Sequence, residues 1–212
     1  MTMRPANWLQ PAQDRLSLLV FVVVLFIVGV VFGSLIYNAL TLEQQQHLAS
    51  DVDHYAELFR AGLFPDAGAT LRERAVFHAK WVLLIWLLGV TVVGMPLVLA
   101  LDFLKGVLVG FSVGALIQGY GWDGLLFALA AVAPPNLIVI PALVLASVSA
   151  VRFSLHVVKH RLLQPGGEIM QPLLAHTATS LLMLLALWGA ALFESYVSPH
   201  LIAWAAPHLI GV

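Results

Sequence analysis

The chain has 212 residues, a formal net charge of −1 and no cysteine; 61% of its residues are hydrophobic and 10% are charged. Soluble domains run at about 45–50% apolar and about 25% charged, so a water-soluble globule of this size could not hide so much apolar surface. The composition excludes a disordered tail, a disulfide scaffold, thiol chemistry and a nucleic-acid binder working through a basic face, and makes lipid the solvent for most of the chain.

A transmembrane helix takes about 20 mostly apolar residues. The first predicted span covers residues 16–40. It is longer than the roughly 7–15 apolar residues of a signal peptide, and no A-x-A site follows. Residues 41–77 are the one sizeable extramembrane piece. Thr41-x-x-Gln44 has the form of a capping box, and Leu48, Val52, Tyr55 and Phe59 then recur at helical spacing on one face. Gly62 is suited to end that helix, and a second box, Thr70-x-x-Glu73, opens the helix that enters the next span. The expectation is an acidic amphipathic helix on the outer surface. It serves either as a lid over its own bundle or as a partner-docking face built on Val52, Tyr55 and Phe59.

The apolar run 81–119 is interrupted by Gly94-Met95-Pro96 and by Asp102 and Lys105. It reads as two spans, 78–101 and 104–119, turning back near residues 102–106. The second would be short, about 15 residues or about 22 Å, and hence partly re-entrant or thinning the bilayer. Residues 124–158 are too long for one straight span, and Pro134-Pro135 removes two backbone donors. This predicts a half-helix over 124–133 and a main span over 137–158. The last span covers 173–197, and 198–212 form an apolar tail lying at the interface with Trp204 as its anchor. The fold class is therefore all-α: a polytopic membrane bundle of about five transmembrane helices with a proline-broken fourth region.

Polar groups inside spans are functional candidates by default. Asn38, His78, Lys80, Gln118 and Glu194 all fall near the outer interface, with Glu194 opposite Lys80 as the expected ion pair; the plainer alternative is that each reaches interfacial water. Asn136, behind Pro134 and Pro135, can satisfy carbonyls freed by the broken helix or contact an ion or substrate. Gly106-x3-Gly110-x3-Gly114 puts three glycines on one face, open to close approach by another helix of the chain or of a homodimer. His156-x3-His160 has a metal-binding spacing but no carboxylate in register, and reads as a solvated helix end. The sequence contains no H-E-x-x-H, G-x-S-x-G or Walker A motif. Glu194 alone lacks the second carboxylate of a glycosidase. No enzyme activity, cofactor or metal is expected.

The stretches VLFIVGVVFGSLIYNAL, FHAKWVLLIWLLGVTVVGMPLVLAL, FLKGVLVGFSVGALIQGYGWDG, PPNLIVIPALVL and GAALFESYVSP follow one another from Val24 to Pro199. In this order and spacing, and above all in FLKG-x3-GF-x-VG followed by P-x-NL-x-x-IPA, the chain resembles the stage II sporulation protein M family of endospore-forming bacteria. The resemblance implies a five-span protein without enzymatic activity of its own. It would anchor the peptidoglycan-degrading stage II sporulation proteins D and P at the septal and engulfing mother-cell membrane. The competing reading is a small-molecule or ion transporter or channel using the broken helix at 134–136.

Six of the ten Lys and Arg (Arg4, Arg15, Lys105, Arg152, Lys159, Arg161) fall in one set of alternate segments; the other holds Arg60, Arg72, Arg74 and Lys80 with most of the acids, Glu43, Asp51, Asp53, Glu57, Asp66, Glu73, Asp123 and Glu194. This places the N-terminus in the cytoplasm and the C-terminus outside. A cysteine introduced at Asp53 should then label from outside intact cells, and one at His160 should not; the opposite pattern reverses the topology.

Overall fold

Every regular element among the described residues, 10–91, 94–159 and 169–210 of the computed structural model, is helical. The order is α1 (Gln10–Ile36), a 3-10 turn (Tyr37–Ala39), α2 (Leu42–Arg60), α3 (Ala67–Val90), α4 (Gly94–Ala131), α5 (Ala133–Val157), α6 (Met170–Tyr196) and α7 (Ser198–Ile210). The segment 15–39 and the helices α4, α5 and α6 are long and apolar enough to cross a membrane. Helix α3 carries Glu73, Arg74 and Lys80 and falls outside that measure. It nonetheless runs antiparallel to α6 through the same layer: His78 meets Glu194 near one end, and Trp86 Nε1 donates to Thr177 Oγ1 (3.1 Å) towards the other.

Local chemistry sets the helix ends. At α2 both halves of the capping box form, Gln44 N–H donating to Thr41 Oγ1 (3.3 Å) and Thr41 N–H to Gln44 Oε1 (3.0 Å). Gly62, at φ 74°, ends the helix in the left-handed region. Its N–H reaches Phe59 O and that of Leu63 reaches Leu58 O, a Schellman closure. Helix α3 begins a turn earlier than its Thr70 box predicts, because Asp66 Oδ2 accepts from Ala69 N–H (2.7 Å) and Thr70 Oγ1 donates to Asp66 O.

Helix α3 ends at Val90 and α4 begins at Gly94, so the boundary between them falls there and not at 102–106. Thr91 adopts an extended conformation and its hydroxyl donates to Leu88 O, while Gly94 passes so close to Leu88 that any Cβ would collide with its carbonyl. Pro96 then falls in the first turn of α4, where a missing N–H costs nothing. Asp102 and Lys105 are consequently mid-helix. The sequence reading treated them as loop residues because charge is costly in lipid, but both find partners inside the bundle. The predicted 104–119 span becomes a straight segment of 94–120, about 40 Å long, and no short span is needed.

The bend comes at Gly121 (φ 61°, ψ −128°), after which 122–131 fold as a short helix. The next break falls at Val132, so Pro134 and Pro135 open α5 rather than interrupt a span. Residues 198–210, expected as an interfacial tail, form α7. It packs with α2 and 122–131 in an apolar cluster of Ala56, Phe59, Leu116, Phe127, Ala128, Ile202, Ala205, Ala206 and Leu209, which roofs one end of the bundle. Trp122 and Trp204 remain 84% and 62% exposed on this roof, as interfacial anchors are.

The α1–α4 contact is made almost entirely by backbone. A Cβ at Gly106 would strike the Phe26 carbonyl and one at Gly110 the Val30 carbonyl, and at Gly114 it would lie 2.8 Å from Ser34 Cα. Partner numbers rise together, so the two helices are parallel, and Gly29 and Gly33 return the contact against Phe103 and Val107. Helix α1 of the same chain thus occupies the glycine face that a homodimer seam would need. The remaining core centres on α5, whose Val139, Ala142, Leu143, Ala146, Ala150 and Val151 pack against α3, α4 and α6. Gly110→Leu should therefore separate α1 from α4 and cost at least the ~1–3 kcal/mol of ordinary overpacking. Thermal unfolding in detergent would show a lowered midpoint, and an unchanged midpoint would refute the seam.

Candidate functional site

The roof is tied down by its own residues. Val52 and Phe59 face α7 and the 122–131 segment, Phe59 being buried. Tyr120 Oη lies 2.8 Å from Asp53 Oδ1 and 2.9 Å from the Ala49 carbonyl, one proton shared between two acceptors. Of the docking face expected from Val52, Tyr55 and Phe59, only Tyr55 keeps substantial exposure, because the stripe is used to hold the lid on. Partial burial pushes the Tyr55 phenol above its ordinary range, against a smaller opposing effect of Arg74, so it presents a neutral hydroxyl.

Beneath the roof is a cleft of about 390 Å³ into which α3, α4, α5, α6 and α7 all contribute polar side chains. Helix α3 supplies Arg74 and His78, α4 Lys105 and Ser112, α5 Asn136, α6 Glu194 and Ser195, and α7 Ser198. Glu194 is the hub. Its Oε2 lies 3.4 Å from Arg74 Nε and its Oε1 3.4 Å from His78 Nε2. The second contact is close but is not aligned as a hydrogen bond. Ser195 Oγ donates to Ala191 O (2.8 Å), whereas the buried Ser198 Oγ has no hydrogen-bond partner.

Lys105 lies deepest. It is eleven residues from the start of α4 and fifteen from Tyr120, roughly 16 Å and 22 Å of helix. Its Nζ sits 5.9 Å from the ring centroids of both Phe77 and Trp81, a cation–π arrangement that replaces part of the lost hydration. Among the described residues no carboxylate comes within 4.0 Å of it.

The five polar residues expected to cluster do not all meet. His78 and Glu194 do, but Glu194 pairs with Arg74 rather than Lys80, which is exposed on another face of α3. Asn38 is exposed in the 3-10 turn, and Gln118 Nε2 donates to Ser34 O (2.8 Å) at the end of the α1–α4 seam. Asn136 Nδ2 donates to Val132 O (2.7 Å), a carbonyl at the helix break. Sequence reasoning missed Arg74 and Lys105; the signal for Lys105 was a lone cation inside an apolar run.

Two further polar contacts stitch the core. Ser147 Oγ donates to Asp102 Oδ1 (2.8 Å), and Ser149 Oγ lies 3.0 Å from Nδ1 of His176, whose ring stacks on Phe153. Among the described residues no three His, Asp or Glu side chains converge as metal ligands. His160, Arg4 and Arg161 lie outside the described residues.

Apolar helices, a backbone seam and a roofed polar cleft define a polytopic helical membrane protein. The family model of stage II sporulation protein M (SpoIIM) matches residues 22–199, most of the chain, and the chain belongs to that family, which is not a known enzyme family. It is thus a sporulation-related membrane protein. No curated protein and no solved structure matches it.

Removing the hub leaves Arg74 and His78 without their carboxylate. Glu194→Ala should cost roughly 1–3 kcal/mol, below the value for a fully buried pair because Arg74 is half exposed. Lys80→Ala, at an unpaired exposed position, should change stability by less than about 0.5 kcal/mol. Detergent melting curves of the two variants check both, and equal effects would remove Glu194 from its role.

Proposed function

We propose that the protein is a non-enzymatic membrane scaffold, its roofed end outside the cell, that holds exported peptidoglycan-degrading enzymes at the septal and engulfing membrane. Family membership is the starting point. The observation that carries the reading is the roof itself. Helices α2 and α7 and the 122–131 segment bury their apolar faces in one another, so α2 stands as a fixed platform. Its free face presents Glu43, Asp51 and Glu57 with the imidazoles of His47 and His54, all exposed. A rigid, pre-ordered surface loses little entropy when a partner docks, and its acidic character selects basic partner surfaces. The partners are the stage II sporulation proteins D and P. Docking proceeds through this polar face rather than through the apolar stripe.

The cleft favours a second reading, passage of a small solute or ion past the break at Val132, where Asn136 stands beside an interrupted helix. One experiment separates the two. A crosslinked pull-down of the tagged chain from its native membrane during sporulation, read by mass spectrometry, should recover exported wall hydrolases. Asp51→Lys with Glu57→Lys should reduce that recovery without changing the amount of protein in the membrane. Self-association alone, with no wall enzyme recovered, refutes the scaffold and transfers weight to transport.

A further inference from the structure

We propose that the cleft beneath the roof is a binding site for an oxyanion, a phosphate or carboxylate head group, with Lys105 as its charged partner. The inference stands on the interior of the bundle and does not depend on what docks to the outer face of α2.

Four observations converge. The volume, about 390 Å³, lies in the range of small-ligand sites. The charges lining it do not cancel: Arg74 answers Glu194 at 3.4 Å, and Lys105 remains as an excess cation. A lysine midway along a membrane helix, beside two aromatic rings and with Glu194 beyond ion-pair distance, is costly, and such residues mark ligand or ion sites. Finally, the Ser198 hydroxyl, on a residue 5% exposed, lines the same cleft without a hydrogen-bond partner. A buried hydroxyl left unpaired costs stability unless a ligand accepts its hydrogen bond.

An anion supplies what each group lacks. It gives Lys105 a counter-charge at ion-pair distance and Ser198 an acceptor, and Arg74 can share its remaining N–H donors with the head group while holding Glu194. A cation would meet the reverse: one carboxylate already engaged by two nitrogens. A purely apolar ligand would leave Lys105 without a carboxylate or phosphate at ion-pair distance and Ser198 buried without an acceptor. Two sources offer the same chemistry, an anionic lipid head group and a free oxyanion from the aqueous phase.

The test is thermal unfolding of the purified full-length chain in neutral detergent. One arm compares sodium phosphate with sodium chloride at equal ionic strength. The other compares mixed micelles of phosphatidylglycerol with those of phosphatidylcholine. At about tenfold excess over its Kd, a bound anion should raise the midpoint by roughly 3–6 °C. A rise with phosphate identifies a free oxyanion, and a rise confined to phosphatidylglycerol identifies a lipid head group. Either rise should vanish in Lys105→Met, and in Lys105→Gln should the methionine variant not fold, while Lys80→Gln, an exposed cation outside the cleft, should keep it. No rise in either arm with the native chain, or an undiminished rise in both Lys105 variants, overturns the proposal.

Discussion

Backbone-to-backbone contact between α1 and α4 is the constraint from which the rest of the molecule follows. Three glycines on α4 and two on α1 let the helices approach until carbonyls meet α-carbons, and that approach fixes the rotation of α4 about its axis. With the glycine face turned to α1, Asp102 reaches Ser147 of α5, and Lys105 and Ser112, two turns apart on another face, line the cleft. In lipid there is no hydrophobic force to bring helices together, so close packing and satisfied polar groups must supply both cohesion and register. The polar contacts Gln118–Ser34, Trp86–Thr177 and Asp102–Ser147 lie along three different helix pairs.

What the sequence disclosed depended on whether a signal was local. Span-length apolar runs, the Thr41 capping box, the left-handed Gly62 and the small-residue face of α4 are properties of one helix, and each was legible from spacing alone. The turns were harder. Asp102 and Lys105 looked like the place where a chain would leave the membrane, because a charge in lipid is expensive, yet Gly94 and Pro96 carried the true boundary. The rule that charges avoid lipid is sound. It misled here because partners that make charge tolerable lie on other helices, far away in sequence.

The candidate site shows the same division. That Glu194 needs a cation could be read from its position in a span. Which cation could not, because His78, Arg74 and Lys80 all lie on α3 and only its rotation against α6 decides between them. The apolar stripe of α2 was visible, but a stripe does not say what covers it. The covering residues, Ile202 to Leu209, are at the other end of the chain. They read as a loose tail because a short apolar segment has no partner until the fold provides one.

The seam also bears on how the protein is made. Helix α1 ends at Ile36 and its glycine partner begins at Gly94, about 60 residues later, so at 5–20 residues per second α1 spends roughly 3–12 s without α4. During that interval its Gly29–Gly33 groove faces acyl chains, and the one hydroxyl on that helix face, Ser34, is turned back onto the Val31 carbonyl (2.8 Å), so that no polar group solicits a wrong neighbour. By chain order α1 is therefore made before α4, and the seam can close only as a second stage. The groove is sealed only when α4 threads into the bilayer beside it, carrying Lys105 to its place among the aromatic rings.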